Sequence, residues 1–363
     1  MTNWTQIDDP IERLHGFLSG FHATYYVYTG IECGIFEVLL DPRTPSDVAS
    51  ELDLYEPYVR RFCEVGLRWG VLTVGSQAAI EGDSEAGSGE RSDSISFRLR
   101  EEFVSPLAVP ESAGYMGHLF EFAAAYLSED YPDYPAYFRS GETHSFTDRD
   151  ESFTDVIEGS TRGLQTIFVE KLLPEFLPAF EARLSRGGRV LDIGCGTGYL
   201  ACRLCERYPD VSIVGVDPDV DAVERARTRA DTLAVDDRTD FRIADVASIA
   251  RNATEAFDAV VLFMSLHELK PESREAVFDE LGGEIRQAGV LAVFDEVYPE
   301  RPAEYDRHPF ANGAETQWSE LVWGNVIPTV TEQRSLLATA GFEELSRTTF
   351  AERFVIYEGG LTS

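Results

Sequence analysis

The sequence predicts an α/β protein: a doubly wound parallel sheet in the C-terminal half, preceded by a mainly helical region that ends in a small two-stranded wing. Three observations carry this. After Arg186-Gly187-Gly188, short β-branched runs alternate with helical runs, the pattern of parallel strands joined by crossover helices. The first of these runs enters a glycine turn at Gly194 to Gly198, and a helix follows it. Residues 44–74 read helix, turn, helix, strand, which is a winged-helix outline.

The first helices start at recognisable signals. Thr44-Pro45-Ser46-Asp47 offers an N-cap, a proline at the first helical position and an early acid. Glu56-Pro57 opens a second helix with apolar residues at Val59, Phe62, Cys63 and Leu67, and Gly70 to Val74 then turns to strand chemistry. Gly75 to Ser94 is acidic and rich in Gly and Ser, as expected of a solvated wing loop, and Ile95 to Leu99 supplies the returning strand. Residues 110–180 are helical and aromatic, with Tyr115, Phe120, Phe122, Tyr126, Tyr131, Tyr134, Tyr137 and Phe138 close together, equally suited to core or pocket wall. The strands expected beyond are Val190 to Ile193, Ser212 to Val216, Phe241 to Ile243, Phe257 to Phe263 and Val290 to Phe294. We therefore expect a wing-bearing domain over 1–110, a helical segment over 111–180 and an α/β domain over 181–363.

Charge narrows the partners. The 363 residues hold 64 Asp and Glu against 31 Lys and Arg, a net charge of −33, and the only lysines are Lys171 and Lys270. Such a surface repels nucleic acid and anionic membranes, and it resembles the composition of proteins that work in concentrated salt. Arg60, Arg61 and Arg68 on the second helix are outnumbered by acids, which disfavours DNA binding. The opening MTNWTQIDDP lacks the basic and apolar regions of a signal peptide, and no apolar run is long enough to span a bilayer, so a cytoplasmic location is expected. Five cysteines without secretory context are expected to be reduced, and Cys202 and Cys205 to pack in the core.

The motif richest in information is Val190-Leu191-Asp192-Ile193-Gly194-Cys195-Gly196-Thr197-Gly198. The glycines let a ligand approach the backbone closely. A dinucleotide fingerprint requires a third glycine where Tyr199 stands, so pyrophosphate is disfavoured. Asp192 suits a cationic amino group better than a phosphate. Asp217 ends the second strand, where a carboxylate can accept from both ribose hydroxyls, and Asp245 follows the third strand, where it can meet an adenine amino group. Three acids in this order at the C-terminal strand edge describe a nucleoside site.

These residues resemble the class I S-adenosylmethionine-dependent methyltransferases, whose hallmark is a strand, E/D-x-G-x-G-x-G and an acid ending the second strand. The match runs from 188 to 358. It implies a seven-stranded Rossmann-like methyltransferase sheet closed by an antiparallel hairpin from Glu344 to Phe350 and Arg353 to Glu358, after a helix capped by Thr329 and Glu332. It implies S-adenosyl-L-methionine as cofactor, with Asp192, Gly194, Cys195, Gly196 and Gly198 at its methionine end, Asp217 at the ribose, Asp245 and Val246 at the adenine, and Phe263 at the end of the fourth strand.

Gly34-Ile35-Phe36-Glu37, Arg43-Thr44-Pro45, Tyr58 to Phe62 and Trp69 to Leu72 are similar to the winged-helix dimerisation domain of two-domain small-molecule O-methyltransferases. That family carries a basic histidine after the fourth strand, typically in His-Asp-Trp. Here the segment is Ser265-Leu266-His267-Glu268-Leu269, so the histidine matches and its neighbours differ. Asp295 falls where the family has an acid that orients the base. The resemblance thus implies methyl transfer to an oxygen of a small hydroxylated molecule, aromatic or polyketide-like, with His267 as base and Asp295 or Glu268 orienting it. At its ordinary pKa near 6.5 that histidine accepts a proton at neutral pH. That transfer needs no metal, and a metalloprotease is rejected because position 271, four after His267, is proline and the second zinc ligand of a zincin helix is missing. Carbon or nitrogen methylation, or a cofactor-sensing regulator without turnover, are the alternatives. A homodimer through residues 1–110 is expected from the apolar group Tyr25, Tyr26, Ile35, Phe36, Leu39 and Leu40.

Overall fold

The computed structural model describes residues 7, 9–75, 95–144, 149, 151–244 and 256–361. They fall into two compact units, 1–129 and 130–363, where the sequence suggested three segments bounded at 110 and 180.

In the first unit a long helix, Pro10–Glu32, starts at Asp9, whose carboxylate accepts from the backbone N–H groups of Ile11 and Glu12. Helix Pro45–Leu52 opens with a complete capping box between Thr44 and Asp47, and helix Glu56–Arg68 follows. Strands β1 (Leu72–Val74) and β2 (Phe97–Leu99) pair antiparallel, with Thr73 opposite Arg98. The wing loop expected between them lies, from residue 76 to 94, outside the described residues. Arg60 and Arg61 are paired with Glu56 and Glu64.

Four of the six apolar residues expected to form a dimer surface do something else, while Leu40 stays 41% exposed. Tyr26, Ile35, Phe36 and Leu39 are buried in the core of this unit, together with Val48, Val59, Cys63 and Leu72, and the Tyr26 ring stacks on Phe62 at 4.2 Å. A small domain has too little core to leave these rings outside. A run of exposed apolar residues lies earlier, at Ile11, Leu14, Phe17, Leu18 and Phe21 on the first half of helix Pro10–Glu32.

The second unit is built on a seven-stranded sheet of β3 (Arg189–Ile193), β4 (Ser212–Asp217), β5 (Thr239–Ile243), β6 (Phe257–Phe263), β7 (Ile285–Asp295), β8 (Phe342–Phe350) and β9 (Phe354–Leu361). Their order is β5-β4-β3-β6-β7-β9-β8, all parallel except β9, which runs antiparallel to both β7 and β8. The central strands β3, β4, β6 and the Val290–Phe294 part of β7 are apolar on both sides because helices cover both faces. Val190, Ala259, Val261, Ala292 and Phe294 enter one core with helix Tyr199–Arg207, while Leu191, Ile193, Val260, Leu262 and Val293 enter the other with helix Val330–Thr339. That last helix has the capping box Thr329–Glu332 read from the sequence. The chain reverses its direction of winding between β3 and β6, so their C-terminal ends open the crevice in which such sheets bind ligands. All five cysteines are free, and Cys202 and Cys205 are buried. Among the described residues no helix is long and apolar enough to cross a membrane.

Candidate functional site

The glycine turn sits at the end of β3. Gly194, Gly196 and Gly198 have φ of 71°, 49° and 71°, a region that residues with a Cβ rarely adopt. A Cβ on Gly194 would stand 2.5 Å from Ser265 Cβ, and one on Gly198 would stand 2.7 Å from Ala226 Cβ. Those two glycines allow close packing. Nothing lies within 4 Å of a Cβ on Gly196, so the middle of the turn faces open space. The N–H groups of Gly194 and Cys195 donate to Val216 O, and that of Gly196 donates to Asp217 Oδ2 at 2.8 Å.

Asp217 ends β4 and also accepts from Asp219 N–H at 2.9 Å. Loss of water around it raises its carboxyl, and the two N–H donors work against that rise. Asp192, in β3, is buried, and its Oδ2 has no hydrogen-bond partner. Burial, and then the neighbouring Asp217 charge, push its pKa to about 7. A buried carboxylate oxygen left unpaired is costly unless a cationic or donor group meets it. Asp245 and Val246 lie outside the described residues. Cys195 is buried, which lifts its thiol well above the ordinary range and makes it a packing group rather than a reactive one.

Beside this turn, β6 ends at Phe263. The chain then bends at Met264, whose φ of 54° is unusual for a side chain of that size, and Met264 N–H donates to Phe294 O. Ser265 Oγ donates to Ile193 O at 2.6 Å, tying this bend to the end of β3. His267 follows, buried, and its Nδ1 donates to Asp295 Oδ1 at 2.5 Å while its backbone N–H donates to Asp295 Oδ2 at 3.2 Å. Nδ1 is thereby committed, and Nε2 has no hydrogen-bond partner among the described residues. Burial lowers the affinity of the imidazole for a proton, but the charge and hydrogen bond of Asp295, with Glu320 and Glu268 behind them, outweigh it and raise the pKa to about 10. The expectation of an ordinary pKa near 6.5 is corrected by this pairing.

Of the two candidates for orienting the histidine, Asp295 does so. Glu268 makes no hydrogen bond to His267; its side chain keeps solvent-exposed surface while protein surrounds it, and this loss of water raises its carboxyl against the pull of His267. Phe263 sends its ring into the core, stacked 4.6 Å from Phe294 and edge-on to Phe168, which leaves only its backbone at the strand end. The aromatic group splits. Phe120 packs on the core of the first unit, whereas Tyr134, Tyr137 and Phe138 line a cavity of about 230 Å³ with Thr143, Leu321 and Val322.

Two residues without a sequence signal belong to this neighbourhood. Glu320 ends helix Phe310–Glu320, accepts from Asn325 Nδ2 at 2.9 Å and lies within electrostatic range of His267. Arg274 is buried and donates to the carbonyls of His267, Leu269 and Val326, which fastens the turn that carries the histidine.

A family model described as "Methyltransferase domain" matches residues 190–289. The carboxy-S-adenosyl-L-methionine synthase of Marinobacter nauticus is 30% identical over 212 residues, which cover 53% of this chain and 80% of that protein. The chain belongs to the class I S-adenosylmethionine-dependent methyltransferase family. The chain spans about half the length of several other curated relatives that it matches. Two solved structures share its fold along nearly the whole chain. One is an O-methyltransferase family protein from Burkholderia thailandensis, with a TM-score of 0.74, 18% identity and coverage of 98% and 99% of the two chains. The other is human N-acetylserotonin methyltransferase in complex with S-adenosylmethionine, with a TM-score of 0.75, 16% identity and coverage of 99% of each.

This chain's own residues fit S-adenosylmethionine. An unpaired buried oxygen on Asp192 suits an ammonium, and the space over Gly196 admits a ligand against the backbone. Among the described residues no group of three or more His, Cys, Asp or Glu is placed to hold a metal ion.

Proposed function

We propose that the protein transfers the methyl group of S-adenosylmethionine to an oxygen of a small hydroxylated molecule, aromatic or polyketide-like, with His267 as general base. The observation that carries this reading is the His267–Asp295 pair at the end of β6, beside the glycine turn of β3. S-adenosylmethionine supplies a methyl group on a cationic sulfur, already activated for in-line displacement and leaving a neutral thioether behind. Asp192 and the Gly194 to Gly198 turn, with Cys195 in it, hold the methionine end. Asp217 holds the ribose, and Asp245 with Val246 the adenine. Asp295 fixes the imidazole with Nδ1 protonated, so His267 takes the acceptor's hydroxyl proton at Nε2 as the oxygen bonds to the methyl carbon. Tyr134, Tyr137 and Phe138 offer an apolar wall to an aromatic acceptor. The remaining work is alignment and exclusion of water.

Incubation of the protein with labelled S-adenosylmethionine and a metabolite extract at molar salt tests this. A labelled methyl ether is the expected product; label on carbon or nitrogen overturns the oxygen assignment, and no product with intact cofactor binding points to a regulator.

The same reading places the protein as a homodimer in a salt-rich cytoplasm, with the winged-helix unit serving assembly rather than DNA. Ile11, Leu14, Leu18 and Phe21 are 65%, 60%, 58% and 58% exposed along one face of helix Pro10–Glu32. Their 3 and 4 residue spacing is that of a helix seam, which a second copy covers symmetrically. Light scattering at molar salt is expected to give twice the 40.5 kDa chain mass, falling to the chain mass in Leu18→Glu/Phe21→Glu. A monomeric parent at micromolar concentration sinks the assembly.

A further inference from the structure

Three left-handed glycines within five residues give the cofactor turn many alternative shapes. Its known fastenings come from one side. Val216 O takes the N–H groups of Gly194 and Cys195, and Asp217 takes that of Gly196, so β4 holds the first three residues. Thr197 is held from elsewhere. Arg229, on helix Val220–Thr232, donates through Nη1 to Thr197 O at 2.7 Å and to Thr197 Oγ1 at 2.9 Å. Its Nη2 donates to Glu158 Oε1 at 2.6 Å.

We propose that Arg229, anchored by Glu158, is a positioning residue for the cofactor turn, holding Thr197 so that the Gly196 to Gly198 backbone keeps the shape that receives S-adenosylmethionine. The anchor is itself well made. Glu158 lies on helix Glu151–Ile167 with a side chain 7% exposed, and it accepts from Arg162 as well as Arg229. Burial acts to raise its carboxyl, but these donors and Thr197 hold it below the ordinary range, so it stays charged. The Arg229 guanidinium also lies 5.4 Å over the ring of Tyr199, the first residue after the turn. A planar fork meets two oxygens of Thr197 and one of Glu158 at once, which a lysine cannot do. A partly enclosed pair of this kind resists screening better than the surface pairs of this acidic chain.

The inference rests on the reading that the turn holds S-adenosylmethionine, and calorimetry of cofactor binding to the full chain at molar salt separates the two. No binding by the parent overturns that reading, and this inference with it. If the parent binds, Arg229→Met is expected to weaken S-adenosylmethionine about tenfold, and Arg229→Lys to recover only part of that loss. Thr197→Val is expected to weaken binding several-fold in the parent and less than twofold in the Arg229→Met background, because both changes break one contact. A merely structural role for Arg229 gives equal effects of Thr197→Val in the two backgrounds, and that result, or an Arg229→Met affinity within threefold of the parent, overturns the inference. Should Arg229→Met fail to fold, Glu158→Gln takes its place: three- to tenfold weaker binding supports the anchor, and parental affinity overturns it.

Discussion

Replacing His267 with Gln is expected to lower turnover by about 10² to 10⁴ while the affinity for S-adenosylmethionine stays within a few-fold. Glutamine keeps the polarity and much of the volume of the imidazole, but it cannot take a proton. The proposed base role has a structural basis in its neighbours. Asp295 accepts from Nδ1 at 2.5 Å, which leaves the lone pair of the neutral ring on Nε2 and stabilises the imidazolium that forms. The same arrangement sets the pH dependence. Because the imidazole pKa stands at about 10 without ligand, the base form is scarce at neutral pH, and the rate of the parent is expected to rise with pH. A cationic donor bound in the same crevice opposes the imidazolium, so the midpoint falls between the ordinary histidine value and about 10. His267→Gln removes this climb. Turnover within a few-fold of the parent, with the climb intact, would overturn the base assignment.

A stability effect of opposite sense accompanies it. A histidine whose pKa is raised by folding stabilises the native state fully below its unfolded value near 6.5, and that contribution is lost as pH rises through about 10. Thermal unfolding followed between pH 6 and 10 is therefore expected to show a decline in the parent that is smaller in His267→Gln. The conditions that favour the base are those in which its pair with Asp295 contributes least to stability.

Much of the sheet was legible because its strands are apolar runs bounded by breakers. Phe257–Phe263 matches the sequence reading at both ends. β7 begins at Ile285, five residues before the expected Val290, because Arg286-Gln287-Ala288-Gly289 breaks the apolar run; pairing of Ile285 with Phe257 across a register shift extends the strand there. The apolar group of the first unit was read as surface because a linear pattern shows that residues are apolar, not which of them the chain's own core consumes. In the site, the glycine turn and the strand-end acids announce themselves by spacing. Arg229, Arg274 and Glu320 do not: Arg229 reaches Thr197 and Glu158, Arg274 reaches His267 and Glu320 faces His267 across 7 to 71 positions through a fork or a charge, and no local pattern marks such a partner. The raised pKa of His267 has the same origin, since the pairing that causes it spans 28 residues.

Asp217→Ala is expected to weaken S-adenosylmethionine and its demethylated product by roughly a hundredfold or more, corresponding to about 3 kcal/mol. Two losses combine in this substitution. As the acid ending β4, Asp217 is the group proposed to meet the ribose hydroxyls, and hydrogen bonds to a charged carboxylate contribute about 1.5 to 3 kcal/mol. It also shapes the site before any ligand arrives, because Oδ2 accepts from Gly196 N–H at 2.8 Å and Oδ1 from Asp219 N–H at 2.9 Å. Alanine leaves the Gly196 N–H without its acceptor in a turn whose glycine already has many alternatives. Asp217→Asn separates the two parts. Its amide oxygen can still accept from one backbone N–H, so the turn is partly kept while the charge toward the ribose is lost, and an affinity between those of the parent and Asp217→Ala is expected. The carboxyl is raised by its surroundings above the ordinary range, so binding by the parent weakens as pH falls toward that raised value and the ionised form is lost. Asp217→Ala has no such dependence from this position. Calorimetry at molar salt, repeated over a range of pH, reads both effects; affinity in Asp217→Ala within threefold of the parent removes the residue from the site.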